Sequence, residues 1–234
     1  MGSRLFSSTY ISSASAAWAS FGTAHTEIAL IAPATLPTGS GIFATILNMF
    51  STTSARVCRL HLDGNTGTGS LGIKVGSALN MLPTTLIFPS TDGRWHLVGH
   101  TKAAGTVTPD FFMYDFGTGL WAEFPGTGTI ADRTAGAVTP SIGHSNTGNL
   151  FDGRIGAVAA YNRRMEKGEW RTLINGRRSW YAALGRAAGG SINREFLCDL
   201  TDLGRLRDNA GGEAILMSAG SQPALTATST PPGW

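Results

Sequence analysis

The chain has 234 residues, of which 42% are hydrophobic and 14% are charged, and its formal net charge is +3. Enough apolar residues with so small a net charge exclude an intrinsically disordered chain, and no run of residues is long and apolar enough to span a membrane. The 31 glycines, with frequent Ser and Thr, favour many short strands joined by tight turns over a helical bundle.

The first half of the chain predicts strands separated by turns. The predicted strands are two short segments within 3–12, followed by 26–32, 42–50, 55–62 and 70–75. For the strongly apolar run at 42–50, a helix is the alternative, because periodicity alone does not separate the two. Pro33 and Pro37 end the strand at 26–32, because proline cannot continue a central strand. Asp63, Gly64 and Asn65 favour a tight turn, so residues 55–75 are predicted to form a hairpin.

The second half continues the same pattern and adds the best helix. The predicted strands are 94–101, 110–114, 121–124, a short segment at 141–143, 153–161, 196–200 and 214–218, and the predicted helices are 166–175 and 179–188. Trp170 and Leu173 can share one apolar face of the first helix, and Asn175-Gly176 is a typical helix stop. Both faces of 153–161 are apolar, which predicts a central strand covered on both sides.

Four segments, taken in order, resemble laminin-G-like, concanavalin A-like jelly-roll domains. They are the opening at 3–12, Asp92-Gly93-Arg94-Trp95-His96 with the strand that follows, Ser141-Ile142-Gly143, and Phe151-Asp152-Gly153 with the strand that ends at Tyr161-Asn162-Arg163. The resemblance implies an all-β sandwich of two sheets with one or two short helices, in which Trp95 fills the core between the sheets. We expect this jelly roll to cover 1–176. Residues 177–234 would form a C-terminal extension, a short helix plus β segments that packs on the sandwich or on neighbouring subunits.

Domains of this family occur in tailed-phage virion proteins, and this implies a function. We expect a non-enzymatic structural protein of the virion, either a capsid decoration protein or a minor tail protein, which contacts other virion proteins and copies of itself. Residues 1–20 lack the continuous apolar stretch of a secretory signal, so synthesis in the host cytoplasm is expected. A lectin-like module that binds host glycans is the alternative, and a sandwich-fold glycoside hydrolase is a third. No nucleic-acid or membrane partner is predicted.

No catalytic residues can be assigned from the sequence. Glycosidases need two carboxylates about 5–10 Å apart around the scissile bond, whereas the glutamates here are scattered along the chain. A Gly-x-Ser-x-Gly nucleophile motif is also missing. The sequence therefore predicts that the protein is not an enzyme.

No cofactor is predicted, although calcium is an alternative because laminin-G-like domains often bind it at a rim of loops. The candidate oxygen ligands are Asp63, Asn65, Asp115, Asn146 and Asp152. Calcium takes six to eight oxygens, several of them from carboxylates, and no dense acidic loop occurs. His96 and His100 would lie about 13 Å apart on one strand face at ~3.3 Å per residue, which is too far for two ligands of one metal.

Two sets of side chains are candidates for contacts with partners. Sugar binding needs accessible aromatic rings, and the candidates are Trp18, Tyr114 and Trp121; packing in a core or against a subunit is the alternative. The second set is a zone rich in arginine that we interpret as a solvated face near an assembly contact, since no nucleic-acid-binding motif accompanies it. Its members are Arg163, Arg164, Arg171, Arg177 and Arg178.

The two cysteines, Cys58 and Cys198, are too few for a disulfide framework or a structural zinc site. Both lie in apolar runs that resemble strands. This favours two buried free thiols, with a single disulfide between them as the alternative.

Overall fold

The computed structural model describes residues 3–6, 11–12, 24–51, 58–65, 69–75, 79–105, 108–130, 138–144, 150–174, 194–199 and 224–226. Within these residues the chain forms fourteen strands and one short helix. No helix among them combines the length and the apolar character that a membrane crossing requires.

The strands and the helix follow one another along the chain. The strands are β1 (Ser3–Phe6), β2 (Ile11–Ser12), β3 (His25–Pro33), β4 (Phe43–Ser51), β5 (Cys58–Asp63), β6 (Ser70–Val75), β7 (Leu79–Met81), β8 (His96–Lys102), β9 (Asp110–Asp115), β10 (Trp121–Pro125), β11 (Val138–Ile142), β12 (Gly153–Tyr161), β13 (Arg194–Asp199) and β14 (Ala224–Thr226). Helix α1 (Lys167–Ile174) follows β12.

The larger sheet is antiparallel, and its strands are ordered β10-β9-β8-β3-β12-β1-β14. Strand β12 lies inside this sheet. One of its sides pairs with β3, while the other pairs with β1 over its first residues and with β13 over its last residues. Strands β13 and β14, which come from the predicted C-terminal extension, therefore belong to the larger sheet of the sandwich.

The smaller sheet is also antiparallel and has the order β2-β11-β4-β5-β6-β7. Its inward side chains meet those of the larger sheet in a continuous apolar core, in which Leu60 and Leu62 of β5 pack in the same cluster as Ile31, Val158 and Phe111. Side chains alternate along each strand, so the residues between them in sequence face outward. The result is the all-β sandwich of two sheets that the sequence predicts.

A second apolar core covers the outer face of the larger sheet, where α1 packs. It contains Ile28 and Leu30 of β3, Tyr161 of β12, and Trp170 and Leu173 of α1. Both faces of β12 are therefore buried, which confirms the prediction for this strand. The helix starts with a local cap, because the Glu169 carboxylate accepts a hydrogen bond from the Glu166 N–H at 2.7 Å.

One predicted core position is wrong. Trp95 does not fill the space between the sheets; it packs in the outer core beside Leu97. The reason is strand alternation, since Trp95 and Leu97 share one side of the chain while Val98 faces the core between the sheets.

Most predicted strands are confirmed within a residue or two, and β7 and β14 are additional. The predicted segment at 141–143 corresponds to the end of β11, which begins earlier, at Val138. The predicted helix at 179–188 and strand at 214–218 lie outside the described residues. The division at 176 stays a prediction. Cys58 begins β5 in the smaller sheet and Cys198 lies in β13 of the larger sheet.

Candidate functional site

An aromatic surface forms on the outer face of the larger sheet, at its β9–β10 edge. It consists of the rings of Phe112, Tyr114, Phe116, Trp121 and Trp170. Trp121 is paired in register with Tyr114, and their ring centroids are 6.2 Å apart. Phe112 stacks on Trp121 at 5.8 Å and on Trp170 at 4.1 Å, while Tyr114 meets Phe116 edge-on at 4.9 Å. The five rings thus form one connected group.

Burial decreases across this surface from the helix to the sheet edge. Phe112 and Trp170 are fully buried and belong to the outer core. Tyr114, Phe116 and Trp121 are half-buried. The inner rings therefore support the fold, and the outer rings leave apolar faces within reach of a ligand.

Charged groups surround the accessible end of the surface. The indole Nε1–H of Trp121 donates a hydrogen bond to Glu123 Oε2 at 2.8 Å. The same carboxylate forms an ion pair with Lys167 and lies 3.6 Å from Arg171 Nη2. The Arg171 guanidinium carbon also lies 5.8 Å from the centroid of the Trp121 ring. Two cations from α1 and one carboxylate from β10 thus hold the orientation of Trp121.

Glu123 is ionised at neutral pH. Burial raises the pKa of its carboxyl, but the hydrogen bonds from Lys167 and Trp121 outweigh burial and hold the pKa below its usual range. The same contact raises the pKa of Lys167. The surface therefore combines flat apolar rings with fixed hydrogen-bonding groups, as small-ligand sites commonly do.

The structure brings together two of the three predicted glycan candidates. Tyr114 and Trp121 are cross-strand neighbours, and Trp18 lies outside the described residues. Phe116 of this surface and Glu123 beside it were not among the residues predicted from the sequence. Strand alternation could have identified them, because residues two apart share one face of a strand. Phe112, Tyr114 and Phe116 have this spacing, and so do Trp121 and Glu123.

Each arginine of the arginine-rich zone that the structure describes contacts a carboxylate. Arg163 forms two hydrogen bonds to Glu169, at 3.0 Å and 2.6 Å. Arg164 Nη2 donates to Asp110 Oδ2 at 3.1 Å, and Arg171 faces the carboxylate of the aromatic surface. The remaining predicted contact residues lie outside the described part of the chain: Arg177 and Arg178. An assembly contact in this zone stays a prediction.

The candidate calcium ligands serve turns and local contacts. Asp63 Oδ1 accepts the Asn65 N–H at 2.7 Å, and Asp115 Oδ1 accepts two N–H groups of the turn that follows it. Asp152 accepts the hydroxyl of Thr35. Asp115 ends β9 and Asp152 precedes β12, which lies three strands away in the larger sheet, so the two are more than about 14 Å apart; Asp63 belongs to the smaller sheet. Asn146 lies outside the described residues. Among those that are described, no group of three or more His, Cys, Asp or Glu side chains could hold a metal ion.

Comparison with known proteins gives structural similarities only. No family model matches the chain, and no curated protein does so. The similar solved structures include tailspike protein 2 of an Escherichia coli O157:H7 bacteriophage, at 12% identity and a TM-score of 0.46, over 78% of this chain and 24% of the tailspike. The enzymatically active domain of that tailspike protein is similar at 14% identity and a TM-score of 0.46, over 78% of this chain and 27% of the other. Scytalido-glutamic peptidase is similar at 12% identity and a TM-score of 0.30, over 70% of this chain and 80% of the peptidase. This chain thus spans about a quarter of the phage tailspike chains.

The prediction that the protein is not an enzyme is contradicted by this comparison. The similar structures include a tailspike domain described as enzymatically active and glutamic peptidases. The prediction depended on missing sequence signatures, and those signatures detect only groups that are close together along the chain. In a sandwich, neighbouring strands place side chains from distant parts of the sequence next to one another.

Proposed function

We propose that this chain is a β-sandwich domain of a tailed-phage particle and that its aromatic surface binds a saccharide of the host surface. The observation that carries the binding role is the Trp121–Tyr114 pair, whose half-buried rings lie beside Glu123, Lys167 and Arg171. The phage particle as location, with other virion proteins and copies of the chain as partners, is supported by the sequence resemblance at 92–101 and 151–163. The more specific laminin-G-like assignment belongs to the same proposal.

A sugar fits this surface for chemical reasons. A pyranose ring has an apolar face of C–H groups that can lie on an indole or phenol ring, and its rim carries hydroxyls that need hydrogen-bond partners. Trp121 and Tyr114 offer the rings, while Glu123 offers an acceptor and Arg171 a donor. Large aromatic side chains with fixed neighbours are the residues that dominate binding energy at interfaces.

The test is polysaccharide binding by the full chain and by variants. Host surface polysaccharide is titrated into the wild-type protein and into Trp121→Ala, and binding is measured by calorimetry. Loss of an aromatic anchor costs roughly 2 kcal/mol, so we expect affinity to fall about thirtyfold. Phe88→Ala is the matched control, because Phe88 is 41% exposed and lies outside the aromatic surface. The same samples, assayed for new reducing ends, report whether bound polysaccharide is also cleaved.

The result that would overturn the proposal is equal binding by wild-type protein and Trp121→Ala, or no binding of any host polysaccharide by the wild-type protein. The thermal midpoint of Trp121→Ala is measured in parallel, so that loss of the fold is not mistaken for loss of the site. The particle location is tested separately, by mass spectrometry of purified phage and by cross-linking to neighbouring chains.

A further inference from the structure

The accessible end of the aromatic surface carries two positive charges and one negative charge. Lys167 and Arg171 are one turn apart on α1, so their side chains share one face of the helix. Both reach the Glu123 carboxylate of β10, which forms an ion pair with Lys167 and lies 3.6 Å from Arg171 Nη2. The positive charge beside the Trp121 ring is therefore only half compensated by this carboxylate.

The two cations are far more accessible than the carboxylate that they share. The side chains of Lys167 and Arg171 are 60% and 62% exposed, whereas the Glu123 side chain is 9% exposed. One Glu123 oxygen faces Lys167, and the other accepts the indole N–H of Trp121 at 2.8 Å. A molecule that approaches Trp121 from solvent therefore meets mainly an ammonium and a guanidinium, both of which are hydrogen-bond donors.

Arg171 differs from the other described arginines of the arginine-rich zone. Arg163 donates two hydrogen bonds to a carboxylate of α1. Arg164 donates one to Asp110 at 3.1 Å, and its Nε also lies 3.8 Å from Glu166. Arg171, in contrast, is 3.6 Å from its carboxylate partner, which is too long for a hydrogen bond. Its exposed N–H groups are therefore available to a ligand.

The exposed donors identify the chemical class of the ligand. An edge of a guanidinium matches the two oxygens of a carboxylate, and such charge-assisted pairs are stronger than neutral hydrogen bonds. The Arg171 guanidinium carbon lies 5.8 Å from the centroid of the Trp121 ring, so one small ligand can contact both side chains. One carboxylate would also balance the charges of Lys167, Arg171 and Glu123.

A uronic acid combines the two features that this end of the surface requires. Its pyranose ring has an apolar face for the half-buried Trp121 ring. Its carboxylate is bonded directly to a ring carbon, so a sugar that lies on the indole carries the carboxylate at its rim, where Arg171 and Lys167 lie. A neutral sugar would offer these two cations only hydroxyl groups, which form weaker hydrogen bonds with them.

We propose that the aromatic surface binds an acidic polysaccharide, in which the ring of a uronic acid lies on Trp121 and its carboxylate contacts Arg171 and Lys167. This inference rests on the proposed function, because it names the class of saccharide that the same surface takes. It assigns the selection of charge to the two cations of α1 and the binding of the sugar ring to β10.

The experiment uses the full chain and pairs of probes that differ only in charge. Tetrasaccharides of galacturonate and of glucuronate are titrated by calorimetry at constant ionic strength, and so are the same tetrasaccharides after chemical reduction of every carboxylate to a hydroxymethyl group. We expect the wild-type protein to bind one acidic tetrasaccharide about tenfold more tightly than its reduced form, because hydrogen bonds to charged groups are the stronger ones. Added salt should weaken binding of the acidic form more than that of the reduced form.

Three variants separate charge from ring stacking. Arg171→Gln keeps an exposed polar side chain, so its affinity for the acidic tetrasaccharide should fall about tenfold while its affinity for the reduced form stays unchanged. Trp121→Ala should weaken binding of both forms. Lys74→Gln is the matched control, because it removes one positive charge from β6 of the smaller sheet and should bind both forms as the wild-type protein does.

Three results would overturn the inference: no preference of the wild-type protein for either acidic tetrasaccharide over its reduced form, equal binding of the acidic form by wild-type protein and Arg171→Gln, or an equal loss in Lys74→Gln. The first comparison needs no variant, so the test stays decisive if Arg171→Gln does not fold. Binding of host polysaccharide that depends on Trp121 and survives reduction of the carboxylates leaves the proposed function standing and removes only the acidic sugar. Absence of any binding of host polysaccharide by the wild-type protein removes both.

Discussion

Replacing Trp170 by alanine should remove a large part of the stability of the fold. Its side chain is fully buried between α1 and the larger sheet and stacks on Phe112 at 4.1 Å. Burying a tryptophan removes about 150–250 Å² from water, which at ~25 cal/mol per Å² is worth about 4–6 kcal/mol. The aromatic stack adds about 1 kcal/mol. The indole Nε1–H lacks a hydrogen-bond partner within the described structure. The cost of burying this unpaired group offsets about 1–3 kcal/mol of the stabilisation.

Trp170→Ala is therefore expected to lower the free energy of unfolding by about 3–5 kcal/mol, which is the usual range for a large aromatic residue in a core. Urea denaturation followed by circular dichroism measures it as a lower midpoint at unchanged slope. Trp170→Phe is the sharper comparison, because it keeps a ring on Phe112 and removes the unpaired N–H; its loss should stay below about 1.5 kcal/mol. Arg171→Ala is the control on the exposed side of the same helix. A loss below about 1 kcal/mol for Trp170→Ala would refute the account of α1 as part of the second core.

Three further changes test other parts of the structure. Burial lowers the pKa of His61 and of His96, so below the ordinary value of about 6.5 the unfolded chain binds protons that the folded chain does not. The thermal midpoint should fall as pH drops from 7.5 towards 5; a midpoint that stays constant over this range would contradict the shifts. Glu169→Gln loses a bidentate, half-exposed contact with Arg163, so the free energy of unfolding measured by urea denaturation should fall by about 1 kcal/mol. An unchanged free energy of unfolding would show that the pair is only a surface contact. Gly143→Ala should cost more than about 2 kcal/mol, because the residue has φ +79° and a β-carbon would lie 2.4 Å from a phenylalanine ring; a wild-type midpoint would show that the ring can move aside.

The sequence predicts the strands well because alternation is a local property. The run 153–161 is apolar on both faces, and its prediction as a central strand is confirmed by β12. The position of Trp95 could not be predicted, because alternation says which residues share a face and not which face lies between the sheets. That choice depends on what covers the outside of the sheet, and here α1 covers it from a distant part of the chain.

The candidate sites depend even more on long-range pairing. Tyr114 and Trp121 were each predicted as glycan candidates, and the structure pairs them because β9 and β10 are adjacent strands joined by a short turn. The polar side chains on the outer face of the smaller sheet could not be grouped from the sequence, because Phe43 and Thr45 reach His61 only through the register of β4 and β5. The sequence around Asp63 predicts a turn or a calcium ligand, and only the packed structure places His61 Nε2 3.6 Å from Asp63 Oδ2.

The position of β12 has a consequence for how the chain folds. Its partners β1 and β3 lie more than a hundred residues earlier in the chain, so the larger sheet closes only after very long loops have been ordered. Folds dominated by such distant pairings fold slowly, on millisecond to second timescales. Until β12 arrives, β3 keeps one open hydrogen-bonding edge, and an open strand edge can pair with another chain. A nascent chain whose β12 residues are still inside the ribosome therefore exposes this edge of β3 and is prone to aggregation. A high concentration of such nascent chains will favour misassembly at the same edge.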